Sequence, residues 1–264
     1  MKRLYLLNIL LALLTPSSFA QDKQKEIMDV RANWNIGDTR TYKIDYDMGM
    51  NKGNSYEEPY YISETVKFTV VDTLEQGYKI KMNLLSFHSS GEANSRSFII
   101  STMEKAKMGI DIFLNINDKG VDKIYNNDEY RKKITQDLES TYKKYTDENT
   151  FRQKFPDLIY FYHDYKNYKN SFNHIIPLFE FLNMKVITGE NNFWQDKIHY
   201  FSKAKVNKDG NIEMKVVGNL SAINLDDSNV YFITIDKLGW PKDVSCNNNI
   251  NLTNGKMNIK IKQI

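Results

Sequence analysis

The residues of this chain that could do chemistry are few and widely spaced. The four histidines are His88, His163, His174 and His199, and none of them belongs to an HExxH or HxH arrangement. On one continuous helix His163 and His174 would share a face, but eleven residues at ~1.5 Å each separate them by ~16 Å, too far for one metal ion. The sequence therefore predicts no metal site and no cofactor, and the histidines are interpreted as structural or surface residues.

Ser202 and Lys205 have the Ser-x-x-Lys spacing of penicillin-recognising enzymes. Those enzymes need the motif on a helix, whereas residues 197–206 alternate like a strand, which turns the two side chains to opposite faces. The Gly-x-Ser-x-Gly, phosphate-loop and dinucleotide-binding motifs are missing, and Cys246 is the only cysteine. We therefore expect no catalytic residue, although a hydrolase whose site assembles only in three dimensions remains an alternative.

Aromatic residues are concentrated between Phe151 and Phe201, a segment with 14 of the 34 in the chain. Core packing of helices on a sheet explains such a segment. The alternatives are an apolar ligand cavity, whose rim a tyrosine hydroxyl can reach, and an exposed stacking surface for sugars. The candidate ligand-binding residues are Tyr162, Tyr165, Tyr168, Phe172 and Phe179.

The first twenty residues have the features of a signal peptide. Lys2 and Arg3 precede the apolar run Leu4–Leu14, and Ser18-Phe19-Ala20 is a small-x-small cleavage site before Gln21. There is no cysteine at this site for lipid attachment, so we expect a secreted or periplasmic protein that is not lipid-anchored. No later stretch has the ~18 consecutive apolar residues of a membrane span.

The net charge excludes one class of partner. The formal charge is +3, from 36 Lys and Arg against 33 Asp and Glu. Cleavage after residue 20 removes two cations and leaves 34 against 33, so the mature chain is close to neutral. A nucleic-acid partner therefore has no electrostatic support.

Alternating apolar and polar residues predict antiparallel strands at residues 42–48 and 78–84, with a β-branched run at Thr65–Val71 between them. Residues 49–59 contain two Gly, two Asn and a Pro, which predicts a long loop. After residue 189 the strand pattern returns. The further predicted strands are 197–206, 211–218, 230–235, 241–246 and 256–261.

Helical spacing occupies the middle of the chain. A short helix is predicted at Phe98–Met108, followed by a hairpin of Ile110–Ile116 and Val121–Tyr125. The next helix begins at Asn126, another opens at Pro156, and a third, short one lies near Pro177–Met184. The apolar residues of the helix at Asn126 recur every three or four positions, at Tyr130, Ile134, Leu138, Tyr142 and Tyr145.

These patterns predict one α+β domain at 21–264, with a helical insertion at about 126–184. Its architecture is a curved antiparallel sheet, resembling a half-barrel, of about eight to ten strands. The helical block covers one face of that sheet.

The opening Trp34-Asn35-Ile36-Gly37-Asp38, followed by Tyr42, resembles the W-x-x-G-[DE]-x-x-x-Y start of uncharacterised secreted proteins of Bacteroidetes bacteria. Those proteins have a signal peptide, β-meanders and a helical insertion before a second β-rich half, a layout similar to residues 34–264. More distantly, strands that enclose helices are similar to the half-barrels of periplasmic lipoprotein carriers, which hold acyl chains between sheet and helices.

The leading hypothesis is therefore a non-enzymatic secreted or periplasmic binding protein. Its partner would be a hydrophobic small molecule or a lipidated component of the cell envelope. The alternative is a surface module that binds glycan or protein through exposed aromatic rings. A cavity favours the first hypothesis, a flat exposed row of rings favours the second, and histidines clustered with carboxylates in one cleft would favour a hydrolase.

Overall fold

The fold is described from a computed structural model. The described residues are 27–52, 55–56, 60–90, 95–117, 120–125, 127–143, 172, 174–179, 182, 185–195, 198–219, 228–250 and 255–264.

The described residues form one large antiparallel sheet, open and curled, and a small two-stranded one. The strands are β1 Ile27–Asp29, β2 Thr39–Lys52, β3 Ser55–Tyr56, β4 Tyr60–Leu74, β5 Gly77–Ser89, β6 Ile112–Asn117, β7 Gly120–Tyr125, β8 Lys185–Ile187, β9 Gly189–Gln195, β10 Ile198–Val206, β11 Ile212–Asn219, β12 Ser228–Ile235, β13 Pro241–Ile250 and β14 Gly255–Gln263.

The large sheet joins two meanders. Its order is β7-β6-β5-β4-β2-β14-β13-β12-β11-β10-β9, with the short β3 paired to β2, while β1 and β8 form the small sheet. Each half is therefore built from strands that are neighbours in sequence. The exception is the β2–β14 pair, which joins the halves and aligns Ile44 with Ile261.

Apolar and polar residues alternate along the strands, which gives the large sheet one apolar face. Tyr42, Ile44 and Tyr46 of β2 point inward and are at most 4% exposed, while Lys43 between them is exposed. Inward residues of the other strands that are at most 3% exposed include Val66, Phe68, Ile80, Met82, Leu114, Ala204, Val216, Ile233, Val244, Ile259 and Ile261. The apolar face thus extends from β6 to β10.

Three described helices accompany the sheet: α1 Ser95–Lys107, α2 Asn127–Tyr142 and α3 Ile176–Phe179. Helix α1 contacts β5 and α2, and α3 contacts β7 and β13. The predicted apolar stripe of α2 is confirmed at Tyr130 and Ile134, which are 1% and 4% exposed. No helix among the described residues has the length and apolar character needed to cross a lipid bilayer.

The Trp-x-x-Gly-Asp opening has a structural role. Trp34 is buried and stacks on Trp240, with ring centroids 4.0 Å apart and planes inclined by 20°. Gly37 follows with φ of 94°, and its N–H donates to the Val70 carbonyl over 2.8 Å. The Tyr42 hydroxyl donates over 2.8 Å to the carbonyl of the first residue of β13. The motif therefore fastens the N-terminal segment to both halves of the sheet.

The α+β fold with a curved antiparallel sheet is confirmed, and most predicted strands lie where alternation put them. Two expectations were wrong in detail. The sheet path has eleven described strands rather than eight to ten, because β9 contains mostly polar residues without clear alternation. β2 continues to Lys52 and β3 follows, so the predicted loop at 49–59 is partly strand. The short helix predicted near Pro177–Met184 is described as α3 Ile176–Phe179, and residues 180, 181, 183 and 184 lie outside the described residues.

Candidate functional site

A glutamate interrupts the apolar face of the large sheet. Strand β4 places Ile62, Glu64, Val66 and Phe68 on one inward row, and Glu64 is only 1% exposed. Its backbone partner on β2 is Ile44, which is fully buried. Because an ionised carboxylate loses its hydration in such surroundings, it needs polar partners at that position.

Helix α1 contributes two of the polar neighbours. Glu104 and Lys107 lie one turn apart on the side of α1 that also buries Met103 and Ala106. The Lys107 Nζ donates to Glu104 Oε2 in a short ion pair. The two side chains are 3% and 1% exposed, so this pair is fully withdrawn from water.

His174 is the fourth member of the group. It lies in a tight turn before α3, where the Ile175 N–H donates to the Phe172 carbonyl over 2.9 Å. The His174 Nε2 is 2.9 Å from Glu64 Oε2. The Tyr46 ring stacks on the imidazole, with centroids 4.6 Å apart and planes inclined by 17°. Strand β4, helix α1 and the turn before α3 thus meet at one point, which we call the polar cluster: Glu64, Glu104, Lys107 and His174.

The protonation of the polar cluster follows from its burial. Burial, reinforced by the charge of Glu64, raises the pKa of Glu104 to about 8. Burial, reinforced by the positive charge of Lys107, lowers the pKa of His174 to about 3. His174 is therefore a neutral imidazole at physiological pH, and Glu104 holds a proton over much of the neutral range.

Two of the five sequence-predicted site residues are described, and both lie in the core. Phe172 is 2% exposed, packs edge-on against Tyr130, and has the Lys107 Nζ 4.7 Å from its ring centroid. Phe179 is fully buried and packs edge-on against Phe68. Phe172 therefore borders the polar cluster, whereas Phe179 packs in the apolar part of the core. Tyr162, Tyr165 and Tyr168 lie outside the described residues.

The remaining sequence candidates stand as follows. Ser202 and Lys205 are on opposite faces of β10: Ser202 is 5% exposed, and the exposed Lys205 pairs with Glu213 at 2.9 Å. The predicted separation of that pair is confirmed. Cys246 is a buried thiol on the inward row of β13.

Sequence reasoning missed the polar cluster. The burial of Glu64 could have been predicted, because the alternation of apolar residues from Ile62 to Val70 places Glu64 on the buried row of the strand. The burial of Glu104 and Lys107 was harder to predict, since the evidence was only that their spacing puts them on the same helix face as Met103. The contact of His174 with Glu64 could not be predicted, because no local sequence pattern relates two residues that are 110 positions apart.

The arrangement has the donors of a small cation site. Glu64, Glu104 and His174 each offer a ligand atom, and these atoms lie within 4.8 Å of one another. Histidine and carboxylates do therefore cluster, as a hydrolase would require. All four side chains of the polar cluster are at most 4% exposed, however, so they line no open cleft. Holding a buried ligand atom or ion is the chemistry that this burial permits.

The similarities of this chain to known proteins are in structure rather than in sequence. No protein-family model and no curated protein matches the sequence, so the resemblance to secreted Bacteroidetes proteins stays a prediction. Among solved structures, the chain is similar to lipovitellin, in a structure of lipid-protein interactions in lipovitellin. The TM-score is 0.43, the sequence identity is 10%, and the match covers 87% of this chain. It is also similar to DynF of the dynemicin biosynthesis pathway of Micromonospora chersina, with a TM-score of 0.22, 6% identity and 90% and 84% of the two chains covered. The chain spans about a quarter, 25%, of the lipovitellin chain.

Proposed function

We propose that this protein is a secreted, non-enzymatic binding protein that holds a hydrophobic ligand, or the lipid group of an envelope partner, between its curved sheet and its helices. One observation carries the proposal: the large sheet keeps an apolar inward face across nearly all of its described strands, and helices α1 and α3 pack against the sheet. An apolar ligand requires such a face, with a few polar groups to orient it.

The aromatic segment supplies the ligand-facing side chains in this proposal. Phe172 and Phe179 belong to the inner packing of the described core, and Tyr162, Tyr165 and Tyr168 are proposed to extend it. A tyrosine suits this position because its ring contacts apolar ligand atoms while its hydroxyl reaches a polar group at the edge. The features of a signal peptide in residues 1–20 support a location outside the cytoplasm in the same proposal.

The test begins with the protein as purified under native conditions. An organic extract is analysed by mass spectrometry for a lipid in molar proportion to the protein, and delipidated protein is titrated with a fluorescent fatty acid. We expect saturable binding near one equivalent. No extracted lipid together with no saturable probe binding would reject the proposal.

Two matched variants locate the binding. Tyr165→Ala removes a proposed ligand-facing ring, whereas Phe201→Ser removes a ring that is 39% exposed on the outward face of β10. We expect Tyr165→Ala to change the probe affinity at least fivefold and to reduce stability by less than the ~3 kcal/mol of a filled core position. We expect Phe201→Ser to leave the affinity unchanged.

A second candidate function has one observation in its favour. Phe201 and Phe232 are 39% and 48% exposed on the outward face of the second meander. Val217 lies between their strands, opposite Phe201, and the Lys215 ammonium lies 5.5 Å from the Phe232 ring. Exposed rings beside a cation are typical of a surface that stacks on sugars or docks a protein. Loss of glycan or partner binding in Phe201→Ser, with fatty-acid binding absent, would favour this module.

A further inference from the structure

The polar cluster has one ammonium for two carboxylates. Lys107 contacts Glu104, and Glu104 in turn lies against Glu64. Glu64 Oε2 has His174 Nε2 at 2.9 Å, and Glu64 Oε1 has no hydrogen-bond partner among the described residues. Two buried carboxylates beside one ammonium and one imidazole are incompletely compensated for their lost hydration.

The donor set around Glu64 matches the first coordination shell of a divalent cation. Two carboxylates and one imidazole supply two oxygens and one nitrogen, and their ligand atoms lie within 4.8 Å of one another. Metal–ligand bonds of ~2.0–2.1 Å in a tetrahedral site place neighbouring ligand atoms roughly 3.3 Å apart. The 2.9 Å between His174 and Glu64 therefore needs to open by only a few tenths of an ångström.

The surroundings hold the ligands in place. The Tyr46 ring covers one face of the imidazole at 4.6 Å and fixes the orientation of its plane. The Lys107 ammonium, above the Phe172 ring, fixes the Glu104 carboxylate. Such orienting contacts are what distinguishes a metal site from a chance group of polar side chains.

We propose that Glu64, Glu104 and His174 bind one divalent transition-metal cation, of which Zn²⁺ is the representative. The mixed oxygen and nitrogen donors suit zinc, manganese or iron(II) better than calcium, which takes six to eight oxygen ligands. The cation supplies the positive charge that the two carboxylates of the polar cluster lack. It also ties strand β4, helix α1 and the turn before α3 together, so its role is to stabilise the packing of the helices on the sheet.

The test uses the full-length mature protein, stripped with EDTA and dialysed. Zn²⁺ is titrated by calorimetry, and Co²⁺ by visible absorption, because d–d bands report the coordination of the ion. We expect one equivalent of each, displacement of Co²⁺ by Zn²⁺, and a thermal midpoint that rises by several degrees with bound zinc. Absence of one-equivalent binding, or of Co²⁺ bands, in the wild-type protein would overturn the proposal.

Glu64→Gln is the decisive variant. It leaves one carboxylate for the one ammonium of the polar cluster, so the metal-free protein should be at least as stable as the wild type. Zinc affinity should nevertheless fall by more than the ~10–100-fold that is expected when a residue only orients a metal ligand. His88→Gln is the matched control, because His88 is exposed and pairs with Ser63, which faces the other side of the sheet from the buried Glu64. Zinc binding lost in His88→Gln but kept in Glu64→Gln would assign the ion to the surface and refute the site. The wild-type Co²⁺ spectrum decides the question even if a variant fails to fold.

Discussion

At the scale of single residues, the polar cluster makes stability depend on pH in two opposite ways. The pKa of Glu104 is raised from 4.5 to about 8, so between these values the folded protein holds a proton that the unfolded chain has released, and stability falls as pH rises. The pKa of His174 is lowered from 6.5 to about 3, so stability rises with pH over that window. The two effects oppose each other between about pH 4.5 and 6.5, which leaves a net loss of stability between about pH 6.5 and 8.

Glu104→Gln should abolish this loss, because an amide does not titrate. In the metal-free wild-type protein we expect the free energy of unfolding to fall by up to ~1.4 kcal/mol per pH unit between pH 6.5 and 8, the slope for one proton. Urea unfolding in EDTA at four pH values across this window measures both slopes.

Glu213→Gln is the control for that measurement. Glu213 is a partly exposed carboxylate whose pKa is lowered by hydrogen bonds from Lys205 and Asn207, so it is already ionised throughout the window. This variant should retain the wild-type slope. A Glu104→Gln protein with an unchanged slope would show that Glu104 does not hold the proton.

At the scale of secondary-structure elements, the β12–β13 turn depends on one glycine. Gly239 has φ of 82°, and a Cβ there would lie 2.5 Å from the Arg31 carbonyl oxygen. Gly37 has a similar φ of 94° but open space where its Cβ would be. Both Asp236 Oδ1 hydrogen bonds of the turn, from the N–H groups of Leu238 and Trp240, require this backbone shape.

Gly239→Ala should therefore destabilise the protein more than Gly37→Ala does. We expect ~1–2 kcal/mol for Gly37→Ala from the unfavourable φ alone, and about 3 kcal/mol or more for Gly239→Ala, which also displaces the backbone beside the Trp34–Trp240 stack. Chemical denaturation followed by tryptophan fluorescence compares the two. Equal losses would show that the contact with residue 31 is unimportant.

The same scale shows why sequence predicted the elements better than the site. Alternation identified residues 42–48 and 78–84 as strands because one face of each is buried and the other wet. It did not identify β9, whose mostly polar sequence has no inward row to recognise. The polar cluster depends on contacts between Glu64 and His174, 110 residues apart, and such a contact follows from the sheet topology rather than from local spacing.

At the scale of the whole molecule, β14 is the strand that joins the two halves of the large sheet. This strand pairs with β13 on one side and with β2 on the other, and its Ile259 and Ile261 are at most 2% exposed. Without β14, the β2 and β13 edges would both be open, and unpaired strand edges promote association between molecules.

A chain that stops after Ile250 should therefore lose the single cooperative transition of the full sheet. We expect a broad thermal transition by far-UV circular dichroism and higher oligomers by size-exclusion chromatography. Lys260→Ala, an outward change that keeps β14, should remain within ~0.5 kcal/mol of the wild type. A sharp, monomeric transition in the shortened chain would mean that each meander is stable alone.

The position of β14 also determines the order in which the protein can be assembled. Asn258 donates its N–H to Asp47 Oδ1 across 211 residues, so this contact forms only after nearly the whole described chain has been synthesised. A nascent chain therefore lacks the junction between the two halves of the sheet until its last strand is made, and closing that junction is slow because the contact spans so much of the sequence. For a polypeptide that is proposed to cross a membrane before folding, such a delay is useful. Until β14 is in place, the edges of β2 and β13 lack their partner, and unpaired strand edges are what chaperones must protect from aggregation.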